Sequence, residues 1–263
     1  MPGLRACARL LRLVLVLLLG MAMASVIALG ERLGVHASLE RRQRWTCLFM
    51  KRLIGALPFE VRVVGELPQR SMLWVSNHVS WTDIPLLGML TPLSFLSKAE
   101  VRQWPLAGWL AEKAGTLFIR RGGGDAQRLR EQISEQLGQA RPLLIFPEGT
   151  TTDGRALRTF HGRLLAGAID QGTPVQPVAI QYLRNGEPDP IAPFIGDDDL
   201  VSHLMRLFGR ERGEVVIHLL APVESQGKER AALAFMAQQA IQVALFGVKD
   251  VEVAVPRRQA RAA

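Results

Sequence analysis

Cysteine is nearly absent: the 263 residues contain two, Cys7 and Cys47. Cys7 borders an apolar run where a bridge would be hard to place, so the disulfide-rich secreted scaffolds are excluded. A reduced compartment is the expectation, with both thiols serving as small packing residues. Zinc-ligand spacings, aromatic RNA-reading motifs and a long basic recognition helix are missing too, which argues against nucleic acid as a partner. There is no internal repeat and no low-complexity segment, and one catalytic domain is expected. Acidic residues are in deficit: 24 Asp and Glu face 32 Lys and Arg, for a net charge of +8. That balance favours anionic partners such as lipid headgroups or phosphorylated substrates.

What is present begins with an apolar segment. Leu13 to Gly30 carries no charge, and about 18 residues is the lower limit for crossing a hydrocarbon core. Arg5, Arg9 and Arg12 precede it, in the layout of a signal anchor with its N-terminus inside. Ala22-Met23-Ala24 resembles a cleavage site, but nothing downstream looks secreted, so retention is expected. Arg41, Arg42 and Arg44 make the second flank basic as well, which leaves open a placement within one leaflet. Further on, Trp45, Leu48, Phe49, Ile54 and Leu57 recur near helical spacing, with Arg44, Lys51 and Arg52 on a basic face. This predicts a helix lying in the headgroup region, the alternative being an ordinary amphipathic helix docked on the core.

After Pro58 short β-rich runs alternate with helical stretches. The pattern predicts an α/β fold: a mixed, largely parallel central sheet flanked by helices, with an N-terminal membrane-associated helical segment. Strands are expected at 61–64, 72–75, 94–96, 117–119, 143–146, 175–182 and 215–220. Helices are expected at 83–90, 106–114, 125–140, 161–171, 200–208 and 228–246. Residues 184–199, rich in Gly, Pro and Asp, read as a surface loop. The division is then 1–57 for the anchor and interfacial helix, 58–250 for the catalytic domain and 251–263 for a basic tail.

Two polar clusters follow buried strands, where an α/β sheet positions reacting groups. The first is Ser76-Asn77-His78-Val79-Ser80-Trp81-Thr82-Asp83. On a regular helix His78 and Asp83 would stand about 140° apart, so they pair only if His78 stays in the turn. Pro85 in the first helical turn, with Thr82 or Asp83 as cap, suits that arrangement. Paired, the carboxylate would fix the imidazole tautomer and stabilise the imidazolium formed when His78 accepts a hydroxyl proton. The second cluster is Pro147-Glu148-Gly149-Thr150-Thr151-Thr152-Asp153-Gly154, whose glycine amides and hydroxyls suit a phosphate or a polar acceptor. Taken alone, either cluster is also compatible with a surface turn.

Four blocks in order resemble the glycerophospholipid acyltransferase family, whose best-known members are the 1-acylglycerol-3-phosphate acyltransferases. Asn77-His78 with Asp83 is similar to the family's N-H-x4-D block, and Gly115 to Arg121 to its strand-and-arginine block. Phe146-Pro147-Glu148-Gly149-Thr150 matches F-P-E-G-T, and Thr173 to Val178 looks like the final apolar strand. Ser97-Lys98-Ala99-Glu100 is similar to a lysine-containing segment between the first two blocks.

The resemblance implies an O-acyltransferase without a covalent acyl-enzyme. His78 and Asp83 would be catalytic; Asn77, Lys98, Arg120, Arg121, Glu148, Gly149 and Thr150 would bind substrate, with the arginines gripping the acceptor phosphate. No metal or cofactor is implied, only acyl-CoA or acyl-carrier protein as co-substrate. The expected acceptor is the lysophospholipid 1-acylglycerol-3-phosphate, giving phosphatidate for phospholipid biosynthesis. Alternatives are a lyso-ornithine lipid or another lysophospholipid and, from another class, a non-catalytic lipid-binding protein or a metal-dependent hydrolase. The expected location is the inner, cytoplasmic membrane, among membrane lipids, with the catalytic domain facing the cytoplasm. Two departures bear on the acceptor. Thr151 stands where the family commonly has arginine, and Arg120 where many bacterial relatives are acidic; Arg155 or Arg158 could replace the missing cation.

Overall fold

A computed structural model describes residues 2–103, 107–119 and 126–247. The strands are β1 (Phe59–Val64), β2 (Leu73–Ser76), β3 (Ser94–Lys98), β4 (Leu117–Ile119), β5 (Leu143–Ile145), β6 (Val175–Arg184), β7 (Glu187–Pro188) and β8 (Gly213–Leu219). They form one sheet in the order β1-β8-β6-β2-β5-β3-β4, with β7 paired to β6. The run from β6 to β4 is parallel throughout, and β8 joins it antiparallel. The expected mixed, largely parallel α/β sheet is therefore present.

The helices are α1 (Pro2–Arg32), α2 (Leu39–Ala56), α3 (Asp83–Gly88), α4 (Ala107–Lys113), α5 (Ala126–Gly138), α6 (Ala166–Asp170), α7 (Leu200–Gly209) and α8 (Arg230–Phe246). Alternation along the strands splits the core between the two sheet faces. Trp74, Leu144, Val178, Ile180 and Ile217 point to the face covered by α1, α2, α3 and α7. Leu73, Val75, Leu143, Ile145 and Ala179 meet Ile133 of α5, Ala168 of α6 and Leu233, Ala237 and Ile241 of α8. Burying each such Leu or Ile stabilises the fold by about 2 kcal/mol.

Two expectations change. Residues 184–199 are not wholly a loop, because Asn185 (φ 55°) and Gly186 (φ 82°) turn the chain into the β6–β7 hairpin. Residues 39–56 form a helix docked on protein over much of its surface: Cys47, Ile54 and Ala56 are buried, and Ile54, Ala56 and Leu57 join the core of the sheet. Of the five apolar residues assigned to lipid, Leu48 is exposed, whereas Phe49 lies against Gly20 of α1, where an added Cβ would come within 2.5 Å of its ring.

Helix α1 is tied to the body at both ends. Arg9 donates to the carbonyls of Phe208 (2.8 Å) and Arg210 (2.5 Å) at the C-terminus of α7, and Arg12 to that of Gly55 (3.2 Å) near the end of α2. Both satisfy carbonyls that a helix end leaves without partners. At the other end Glu31 pairs with Lys113 of α4 at 2.5 Å. By length and composition α1 could cross a membrane.

Candidate active site

The parallel strands β2, β5, β3 and β4 all end at one edge of the sheet, and the chain leaves β2 and β5 in the two polar clusters. Asn77 extends the β2–β6 pairing with its side chain: Nδ2 donates to Ile180 O at 3.0 Å, and Oδ1 accepts from Ile180 N at 2.9 Å. At 1% exposed, it clamps the two strands together beside the turn that carries His78.

His78 stays in the turn, as its pairing requires. Its Nδ1 lies 2.7 Å from Asp83 Oδ2, and the same oxygen accepts the amides of Val79 (2.7 Å) and Ser80 (3.0 Å). Thr82, the residue before α3, makes no capping bond, and its hydroxyl instead meets the Tyr182 hydroxyl at 2.7 Å. The expected cap is thus replaced by a carboxylate that gathers the turn preceding it. Asp83 is fully buried, whereas the His78 side chain is 18% exposed. Phe146 stacks on the imidazole with centroids 4.0 Å apart, fixing the ring plane. Nε2 of His78 has no hydrogen-bond partner among the described residues. One nitrogen is therefore held by a carboxylate and the other is free to accept a proton.

The second cluster holds the first in place. Glu148 is 4% exposed; Oε1 accepts the His78 amide at 2.9 Å and Oε2 the Arg158 amide at 2.9 Å. Burial holds its carboxyl above the ordinary carboxylate value, and the two amides reduce that rise without reversing it. Its carboxylate accepts one backbone amide at each oxygen, and Glu148 thereby ties the two turns together. Gly149 adopts φ 71°, a left-handed conformation that suits glycine. The Thr152 amide donates to His78 O at 2.8 Å. Thr150 is half-buried, and Lys98 is exposed at the end of β3, where it pairs in register with Ile119. Arg120 and Arg121, the expected phosphate contacts, lie outside the described residues.

Residues 191–203 form a third layer that sequence reasoning missed. Phe194 N donates to Val79 O at 2.9 Å, and Thr151 Oγ1 donates to Phe194 O at 2.5 Å. The hydroxyl of Thr151 thus pins this segment over the turn. Beneath it, Trp81 Nε1 donates to Nδ1 of the buried His203 at 3.0 Å. Nε2 of His203 then donates to the carbonyls of Ile191 and Ala192 at 3.1 and 3.2 Å. Tyr182 was also missed; its hydroxyl reaches the second oxygen of Asp83.

Comparison with known proteins shows the family and the fold. Residues 59–181 match the family model described as Acyltransferase. The chain is 60% identical, over the full length of both, to a lyso-ornithine lipid O-acyltransferase of Pseudomonas aeruginosa. It is 28% identical to a 1-acyl-sn-glycerol-3-phosphate acyltransferase of Neisseria gonorrhoeae, over 81% of this chain and 85% of that one. The crystal structure of the 1-acyl-sn-glycerophosphate acyltransferase of Thermotoga maritima superposes with a TM-score of 0.62 at 21% identity, covering 92% of this chain and 97% of that one.

Proposed function

The chain belongs to the acyltransferase family as an O-acyltransferase of the lysolipid type, and from that premise we propose that it acylates the free hydroxyl of a lyso-ornithine lipid with His78 as general base. The observation that carries the mechanism is the 2.7 Å contact between His78 Nδ1 and buried Asp83, with Nε2 unpartnered among the described residues. Nε2 takes the proton of the acceptor hydroxyl as that oxygen attacks the thioester carbonyl of the acyl donor. The thiolate leaves and recovers the proton from the imidazolium, which Asp83 has stabilised meanwhile. The ester forms, and His78 returns to its neutral state.

The acceptor proposal replaces lysophosphatidate as the leading expectation. Two facts support it: the 60% identity to a protein of that name against 28% for the phosphate-acceptor relative, and Thr151. Where a phosphate acceptor calls for a cation, Thr151 offers a hydroxyl already committed to Phe194. An ornithine headgroup carries a carboxylate and an amine instead of a phosphate monoester, so it needs fewer guanidinium contacts.

Membrane association follows from α1. At 100° per residue, buried Leu13, Gly20, Ala24 and Ile27 lie on one face, and exposed Leu11, Leu15, Leu18 and Leu29 on the opposite one. Both ends are bound to the catalytic body, so we place the open apolar face in one leaflet of the inner membrane, with the site on the cytoplasmic side.

A lysolipid panel tests the acceptor. Purified protein given labelled acyl-CoA or acyl-carrier protein is expected to acylate lyso-ornithine lipid faster than lysophosphatidate. Phosphatidate as the sole product would return the acceptor to lysophosphatidate. Release of free fatty acid that a chelator stops would mean metal-dependent hydrolysis.

A further inference from the structure

Asp83 is fully buried, yet its two oxygens are served unequally. Oδ2 receives His78 Nδ1 and the amides of Val79 and Ser80, whereas Oδ1 receives the Tyr182 hydroxyl at 2.5 Å. Tyr182, on β6, is the only tyrosine in the chain. Its ring is held edge-on to Phe59 at 5.6 Å. A phenol has one proton and an ionised carboxylate can only accept, so the proton goes to Oδ1. The remaining contact, with Thr82 Oγ1 at 2.7 Å, must then run from threonine to tyrosine. The outcome is a directed chain in which Thr82 donates to Tyr182, and Tyr182 and His78 both donate to Asp83.

We propose that Tyr182 is a positioning residue whose hydroxyl, through Asp83, sets the pH range over which the His78–Asp83 pair can act as a base. This rests on the reading of His78 as general base. Donor bonds to a carboxylate favour its charged form and weaken its hold on a shared proton. With the hydroxyl removed, Oδ1 is left bare in a buried site, and Asp83 pulls harder on the Nδ1 proton. That stronger pull displaces toward higher pH the range in which Nε2 can accept the substrate proton. Burial, and after it the Asp83 charge, push the Tyr182 phenol well above its ordinary value, so it remains a donor. The other titratable groups facing this assembly have different partners. Glu148, from the turn after β5, binds the His78 amide. Asp189, beyond β7, pairs with Arg184 at 2.9 Å. His203, from α7, touches Trp81.

Tyr182→Phe keeps the ring and deletes only the hydroxyl. The acid limb of its kcat/KM profile is expected to move up by about one pH unit. At neutral pH kcat is expected to fall up to about tenfold, with the acceptor KM unchanged. A profile that superimposes on the parent's, or a loss of equal size at every pH, would overturn the proposal. A second measurement needs no turnover. Growth on 3-fluorotyrosine labels Tyr182 alone, and its single ¹⁹F resonance is expected to titrate along the acid limb in the parent and to stay flat in His78→Gln. A flat parent resonance, or the same titration in His78→Gln, overturns the coupling. Because the resonance is read without any acceptor, a wrong choice of lipid would fail in the panel and leave this result standing.

Discussion

His78 and His203 sit on either side of the same turn, and they differ in one respect that decides what each can do. His203 is fully buried with both nitrogens committed: one accepts from Trp81, the other donates to two carbonyls. His78 has one nitrogen on a carboxylate and the other unpartnered among the described residues. A satisfied imidazole surrounded by aromatic rings is a strut, whereas an imidazole backed by Asp83 with an open nitrogen has the geometry that the proposed base requires. Aromatic packing alone does not distinguish them, since Phe146 lies on His78 as Phe194 and Trp81 lie around His203. The carboxylate does.

The largest effect that would sharpen this contrast comes from the backing acid. Asp83→Asn should cost acyl transfer about 10² to 10³-fold, because the amide cannot stabilise the imidazolium. His203→Phe should leave kcat within a few-fold of the parent; steady-state rates on one acceptor compare the two. In stability the order reverses. His203→Phe leaves Trp81 Nε1 and two carbonyls without their partner and should lower the unfolding free energy by about 1 to 3 kcal/mol, read from urea melts.

A smaller effect is expected in acid. Burial, and after it Arg206, hold His203 below its ordinary 6.5, and burial with Arg62 does the same to His218. The unfolded chain therefore binds protons first as pH falls. Their contribution to stability is whole above 6.5 and is lost on acidification through and below that value. Thermal melts from pH 8 to 5 should show this decline, and His203→Phe should flatten it. A decline of undiminished slope in that variant would place its source elsewhere. Smallest of all, Thr151→Val should release Phe194 and lower acceptor kcat/KM by about threefold, the worth of one ordinary hydrogen bond.

The central sheet was legible because strand runs such as Val75 and Ile145 are short, apolar and followed by polar turns. The His78–Asp83 pairing was legible as a condition, that His78 remain outside the helix, and the structure meets it. Tyr182 was not. It lies 99 residues from Asp83, and only the β2–β6 pairing brings the two together. Its one visible signal was a lone phenol within a buried strand. The Asn185-Gly186 hairpin was readable from its turn residues but was obscured by the Gly, Pro and Asp around it. The docking of α2 stood as the alternative rather than the leading expectation, because lipid and a protein core select the same apolar spacing. Glu148 was found for its motif, but its use as a backbone clamp depends on the close approach of two loops.

Single-turnover acyl transfer by His78→Gln tests the account most directly, with lyso-ornithine lipid as acceptor and the parent as reference. General-base assistance is worth about 10² to 10⁴, so the rate should fall at least about 100-fold while the melting temperature stays near the parent's. Transfer at close to the parental rate by a folded variant would contradict it.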